Sequence, residues 1–144
     1  MEDNMNEKHL EFLQNNITRM NQCSFQMKGW AITVVSAFMA IYVTTMNGGE
    51  TGNKLYLGVS IASTLLFWIL DSLYLSKERK FIGIYNDVAG LGNDGKRIEI
   101  KPYEIPLMKY RGWKYSIFRG IISPTELFFY GMITTVLVII LILN

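Results

Sequence analysis

The chain has 144 residues, of which 50% are hydrophobic and 18% are charged, and it carries a net charge of +2. The length fits one domain, and the charged share is below the roughly 25% that is usual for soluble chains. So small a net charge does not indicate nucleic acid as a partner, and a single cysteine, Cys23, excludes an internal disulfide.

The charged residues are unevenly distributed and leave three long apolar stretches. Residues 29–46 and 127–143 contain no Asp, Glu, Lys, Arg or His, and residues 55–75 contain only Asp71. Each stretch approaches the roughly 17–25 apolar residues that cross a hydrocarbon core. The sequence therefore predicts an all-α membrane protein with three spans. The lipid bilayer is accordingly a predicted partner of the chain.

Residues 1–27 are predicted to form an amphipathic N-terminal helix. Positions at alternating spacings of three and four form its seam, as in packed helices: Leu10, Leu13, Ile17, Met20, Ser24 and Met27. The same phase continues into the first span, so one long helix is expected to start in water and enter the bilayer. Two interpretations stay open: the seam lies on the membrane or on its own protein, or it packs against copies of the chain.

The first two spans are predicted to form an antiparallel hairpin over residues 28–75. We expect the spans at about 28–46 and 55–75, because the stretch NGGETGNK at 47–54 is polar, rich in glycine and too short for anything but a tight turn.

Asp71 is the one charge inside the second span, and the hairpin suggests its partner. An antiparallel arrangement places Lys28 within a helical turn of Asp71. Because a charge in hydrocarbon costs several kcal/mol unless it is paired or hydrated, one explanation is a Lys28–Asp71 ion pair, or a carboxylate that snorkels to the interface, which fixes the register. The alternatives are that Asp71 lines a cytoplasmic vestibule, alone or ringed by copies, or that it caps a kinked helix.

Residues 76–123 form a polar and basic segment. SKERKFIGIYNDV is expected to extend the second span as a helix until glycines break it, and NDG followed by the alternating KRIEI favours a short strand or β-hairpin. Aromatic and basic residues then interleave, as is typical of a membrane–water interface. The predicted interfacial anchors are Tyr110, Arg111, Trp113 and Lys114.

The third span is predicted at the C-terminal end, over residues 124–144. The stretch SPTE before it is a helix start, in which Ser123 can cap, Pro124 suits the first position and Glu126 can complete a capping box.

The distribution of Lys and Arg predicts the orientation. The basic segment holds ten of the 14, the N-terminal part three and the 47–54 turn one. Since cytoplasmic loops carry the excess of basic residues, we expect the N-terminus and residues 76–123 in the cytoplasm and the C-terminus outside.

Motifs of catalysis and metal binding are missing from the sequence. It contains no P-loop, no Gly-x-Gly-x-x-Gly and no Cys or His cluster with metal-binding spacing, and its only histidine, His9, is expected to be solvated. We therefore predict no catalytic residue, no metal and no cofactor, and we do not expect an enzyme.

Two stretches, HLEFLQNNITRMNQCSFQMKGWAITVVSAFMAIY and FWILDSLYLSKERKFIGIYNDV, resemble small bacterial membrane proteins of anti-phage defence operons. The layout of a leader helix, a two-span hairpin and a charged helix that continues from the second span is similar to SLATT-type effectors, over residues 9–88. In that family a nucleotide second messenger, made by a partner enzyme, triggers membrane damage. The resemblance implies an effector of the bacterial inner membrane, although the third span departs from the two-span pattern.

Two functions are therefore expected. In the first, a homo-oligomer permeabilises the membrane in response to a cytoplasmic signalling enzyme or its nucleotide product, with Lys96, Arg97 and Lys101 as the contacts; a pore requires several copies, because three spans have no room for one. In the second, the chain is a membrane anchor that recruits or restrains a cytoplasmic partner and conducts nothing.

Overall fold

The computed structural model describes residues 2–46, 52–91, 100–101 and 103–143. Within these ranges the chain folds into helices and no strand, in the order α1 (Glu2–Thr44), α2 (Lys54–Val88), a 3₁₀ turn (Trp113–Tyr115), α3 (Ile117–Ile121) and α4 (Pro124–Leu143). By length and composition α1, α2 and α4 can each cross a membrane. The predicted all-helical class and the three apolar helices are confirmed, and the chain has the helices of a multi-pass membrane protein.

Helices α1 and α2 are much longer than a bilayer requires. At 1.5 Å per residue, the 43 residues of α1 extend roughly 64 Å and the 35 residues of α2 roughly 52 Å. The hydrocarbon core is only about 30 Å thick. Both helices therefore continue past their apolar parts, α1 at its N-terminal end and α2 at its C-terminal end, as the sequence predicted.

The hairpin connection brings α1 and α2 close together. Asn53 accepts a hydrogen bond from the Leu55 N–H and caps α2, and its own N–H donates to Thr45 Oγ1 over 2.8 Å. Gly52 has no room for a side chain, since a Cβ there would lie 2.8 Å from the Tyr42 carbonyl oxygen. Part of the predicted 47–54 turn lies outside the described residues.

Two apolar clusters hold the helices at opposite ends. Next to the hairpin connection, Tyr42, Leu57 and Leu137 join α1, α2 and α4. At the far end a second cluster joins α1, α2 and the basic segment, and its buried members are Leu13, Phe81, Ile84 and Tyr110. The part of the basic segment that follows α2 therefore packs on the two long helices.

The predicted seam of α1 faces the rest of its own chain. Leu13 is fully buried, Ile17 and Met20 pack against the second cluster, and Ser24 is buried at 8% exposure. These contacts agree with the interpretation that the seam lies on its own protein. Contacts with copies would use other faces of α1.

Residues 110–120 run along α2 in the opposite direction. The Tyr110 hydroxyl donates to Asp87 Oδ2, Ser76 Oγ donates to the Tyr115 carbonyl over 2.6 Å, and Gly120 lies against the backbone of Ser72. The chain therefore follows α2 back towards its apolar part before α4 begins.

The predicted strand or β-hairpin lies mostly outside the described residues and stays a prediction; Ile100 and Lys101, which are described, adopt no regular structure. Two other details differ from the sequence-based expectations. His9, expected in solvent, is 1% exposed and lies against the ring of Tyr103. Pro124 does begin α4, but Glu126 bonds to Lys28, and the Ser123 N–H donates to the Gly120 carbonyl.

Tyr110 was expected to be an interfacial anchor, but it is 4% exposed and buried against Gly83, where its side chain leaves no room for a Cβ. Burial, followed by its hydrogen bond to Asp87, raises the pKa of Tyr110 above its usual range. The folded state therefore favours the neutral phenol. This contribution to stability is complete below the ordinary tyrosine pKa of about 10 and is lost as the pH rises through the higher folded-state value.

Substitution Tyr110→Phe should loosen the basic segment by about 1–2 kcal/mol, because it removes a hydrogen bond to a carboxylate. Amide hydrogen exchange of residues 103–120 near neutral pH measures the loss. Equal exchange rates at neutral pH would contradict the assignment.

Candidate functional site

One cluster of charged side chains joins the three apolar helices. Lys28 Nζ on α1 lies 2.5 Å from Asp71 Oδ2 on α2 and 2.7 Å from Glu126 Oε1 on α4. The two accepting oxygens therefore lie within about 5 Å of each other across one ammonium group. Lys28, Asp71, Glu126 and Tyr130 are called the charged cluster below.

The cluster is closed to solvent on its acidic side. Asp71 is fully buried and Glu126 is 2% exposed, whereas the side chain of Lys28 is 22% exposed. Isolated buried carboxylates would be strongly unfavourable in an apolar surrounding, so the ammonium of Lys28 is needed to hold both. It also donates to Ser24 Oγ one turn earlier on α1, over 3.0 Å.

Tyr130 completes the cluster from α4. It follows Glu126 by four residues and therefore shares its helix face. Its hydroxyl donates to Asp71 Oδ2 over 3.1 Å, and its ring centroid lies 6.0 Å from Lys28 Nζ. Trp68 of α2 stacks on the Tyr130 ring, with centroids 6.0 Å apart and planes at 13°. The aromatic pair therefore joins α2 and α4 beside the ion pairs.

Two carboxylates share a single ammonium, which leaves hydrogen-bonding capacity unused. Asp71 Oδ1, Glu126 Oε2 and the neighbouring Ser72 Oγ are buried and have no hydrogen-bond partner within the described part of the chain. The arrangement can hold the three helices in register and can respond to a change in the position of any one of them. Among the described residues, no group of three His, Cys, Asp or Glu side chains has metal-binding geometry.

The structure brings together the pair that the sequence singled out and adds two residues that sequence reasoning missed. Lys28 and Asp71 are in direct contact, and Asp71 does not face solvent in the single chain. Glu126 and Tyr130 were missed because Glu126 had a local explanation as a capping residue. The available signal was an acidic residue at the start of the third span with a tyrosine four positions later.

Of the predicted ligand contacts and interfacial anchors, some lie outside the described residues and others are exposed at the surface. Lys96 and Arg97 lie outside the described residues, and Lys101 is exposed, with its backbone N–H donating to Glu104. Trp113 is 60% exposed, and Arg111 and Lys114 are also exposed, as interfacial residues would be.

Basic residues, among them the predicted anchor Arg111, surround two cavities beside α2. Lys77, Lys80 and Arg111 line a cavity of about 360 Å³. Arg79 and Arg119 line a smaller one of about 230 Å³, together with Trp113. Positive charge is therefore concentrated where α2 leaves its apolar part.

By length and composition the three apolar helices are those of a small multi-pass membrane protein, and the charged cluster forms an ion network among them. No protein-family model, curated protein or solved structure matches the chain. The similarity to SLATT-type effectors therefore stays a prediction from the sequence.

Proposed function

We propose that the chain is an oligomeric effector of the bacterial inner membrane that permeabilises the bilayer in response to a cytoplasmic signal. Its N-terminus and basic segment would lie in the cytoplasm and its C-terminus outside. The observation that supports this proposal is the direct contact of residues 115–120, in the part of the basic segment after α2, with α2 beside the charged cluster.

The contact offers a route from a signal to the membrane. Gly120 touches the backbone of Ser72, the residue after Asp71, and Tyr115 accepts a hydrogen bond from Ser76 one turn further along α2. A ligand or partner that moves residues 110–120 would also move the part of α2 that holds Asp71. Two buried carboxylates depend on the ammonium of Lys28. A small shift of Asp71 would therefore change the ion pairs that join the three helices.

The oligomer would assemble through faces that a single chain leaves open. Large apolar side chains lie exposed on α1 and α4, with Phe25 at 78%, Trp30 at 57% and Phe128 at 75% exposure. Lipid or a second copy can cover them. Permeation through a protein path would need several copies, since Asp71 and Glu126 are closed off within one chain.

A depolarisation assay tests the effector function. We expect inducible expression of the chain, together with its candidate signalling enzyme, to depolarise cells loaded with a membrane-potential dye and to stop growth. Phage challenge of the same strain tests the setting in anti-phage defence, for which the resemblance is the support. Unchanged potential and growth with the partner present would contradict the proposal.

The second candidate is a non-conducting membrane anchor that recruits or restrains a cytoplasmic partner. The observation in its favour is that the charged cluster is paired internally and its carboxylates face no water path in the single chain. Reconstitution separates the two functions. Ion flux from proteoliposomes with the signal added favours the effector, whereas co-purification of a partner without flux favours the anchor.

A further inference from the structure

We propose that the cavity lined by Lys77, Lys80 and Arg111 binds the phosphate headgroup of an anionic phospholipid. The cavity has a volume of about 360 Å³ and lies between α2 and residues 110–117. It is called the basic cavity below. The inference does not depend on the proposed function, because a lipid can bind here whether or not the chain conducts.

One wall of the basic cavity is a single face of α2. Leu73, Ser76, Lys77 and Lys80 all line it. Their spacings of three, four and seven residues place them on the same side of a helix. Leu73 lies in the apolar part of α2, and Lys80 lies about 10 Å further along the helix axis, beyond that part. This wall therefore changes from apolar to cationic along its length.

The opposite wall has the same change of polarity in the same direction. Arg111 and Ile117 both line the cavity. Because residues 110–120 run antiparallel to α2, with Tyr110 against Gly83 and Gly120 against Ser72, Arg111 lies towards the Lys80 end and Ile117 towards the Leu73 end. The cavity is thus cationic at one end and apolar at the other, which is the polarity of a phospholipid.

The charge of the cavity favours an anion. Among the described residues, its lining includes three cations and no carboxylate. Basic pockets beside membrane helices bind acidic lipid headgroups, to which each nearby cation contributes. Ordinary interfacial anchoring accounts for the side of the membrane on which the cations lie, but not for their convergence on one concavity with an apolar end. A free phosphate would use the cations and leave Leu73 and Ile117 without a role.

Native mass spectrometry of the purified protein with added phosphatidylglycerol or phosphatidylcholine tests the site. We expect saturable, preferential binding of phosphatidylglycerol to the wild type. The variant K77Q/K80Q/R111Q should bind it at least about tenfold more weakly, because three phosphate contacts are removed. The matched control K8Q/R19Q/K54Q removes the same charge from exposed positions away from the cavity and should change binding less than about twofold.

A second variant keeps every cation and blocks the apolar end. Leu73→Trp should also weaken phosphatidylglycerol binding, because the larger side chain fills the apolar end of the cavity. The helical circular dichroism of Leu73→Trp and of K77Q/K80Q/R111Q should be unchanged. The proposal is overturned if the wild type shows no preference for phosphatidylglycerol, or if both charge variants lose binding equally, which would indicate a delocalised surface potential. Displacement of the lipid by excess inorganic phosphate would assign the cavity to free phosphate and overturn the lipid as its ligand. Failure of phosphate to compete supports the lipid.

Discussion

Replacement of Lys28 by Met is expected to destabilise the folded protein by about 3–5 kcal/mol, because it leaves two buried carboxylates without their cation. Methionine keeps the length and apolar stem of the side chain, so the change tests the charge. The measurement is the helical circular dichroism of the protein in mixed micelles as denaturing detergent is increased. Lys54→Met removes an exposed cation at the other end of the hairpin and should change stability by less than about 0.5 kcal/mol.

The two acidic residues should behave differently from Lys28. Asp71→Asn and Glu126→Gln each leave one carboxylate paired with Lys28, so each single variant should cost less than the loss of the lysine. The double variant leaves an ammonium without either partner, and its cost should exceed the sum of the two single costs by about 1–3 kcal/mol. Additive costs would show that the three charges do not act as one cluster. A small loss of stability in the Lys28→Met variant would contradict the role of Lys28 in holding both carboxylates.

Gly120→Ala is expected to cost about 1–3 kcal/mol and to detach α3 from α2, since a Cβ there would lie 2.8 Å from the Ser72 carbonyl oxygen and 3.2 Å from its Cα. Backbone atoms of a packed helix cannot move aside as a flexible side chain can. Faster hydrogen exchange in residues 113–121 and lower stability in mixed micelles are the expected observations.

Gly131→Ala is the matched control for Gly120→Ala. A Cβ at Gly131, inside α4, would meet no atom within 4 Å. Its replacement should therefore be neutral or should stabilise α4 by up to about 1 kcal/mol, as alanine does in helices. If the two variants behave alike, the close contact between Gly120 and Ser72 is not important for the fold. If the effector proposal is right, only Gly120→Ala should also uncouple depolarisation from the signal.

The helices and the first ion pair could be predicted because their signals are local or follow from simple geometry. Three apolar stretches, with Asp71 as their single charge, indicate the apolar helices, and the short 47–54 connection places Lys28 level with Asp71. The third partner could not be found in this way, because the distance from Glu126 to Lys28 along the chain is 98 residues and nothing in the hairpin fixes where α4 returns. That position depends on the path of residues 110–120 along α2 and on the packing of α4 against α1 and α2.

The basic segment was also hard to predict, for a different reason. The contacts of residues 110–120 with α2 depend on single residues, such as the close approach at Gly120 and the hydroxyl of Ser76 in α2. No repeating sequence pattern indicates such contacts. His9 shows the same difficulty, since an isolated histidine in a charged stretch is buried where the ring of Tyr103 lies against it. Tertiary contact overrides local polarity at both places.

The uninterrupted course of α1 and α2 makes their projecting ends a stiff lever. A tilt of the membrane part of either helix by a few degrees would move its distal end by several ångströms. A force on the distal end would in turn tilt the part of the helix within the bilayer. Cys23, the sole thiol, sits on one arm of this lever, where a spin label or fluorophore would register the swing without any engineered attachment point.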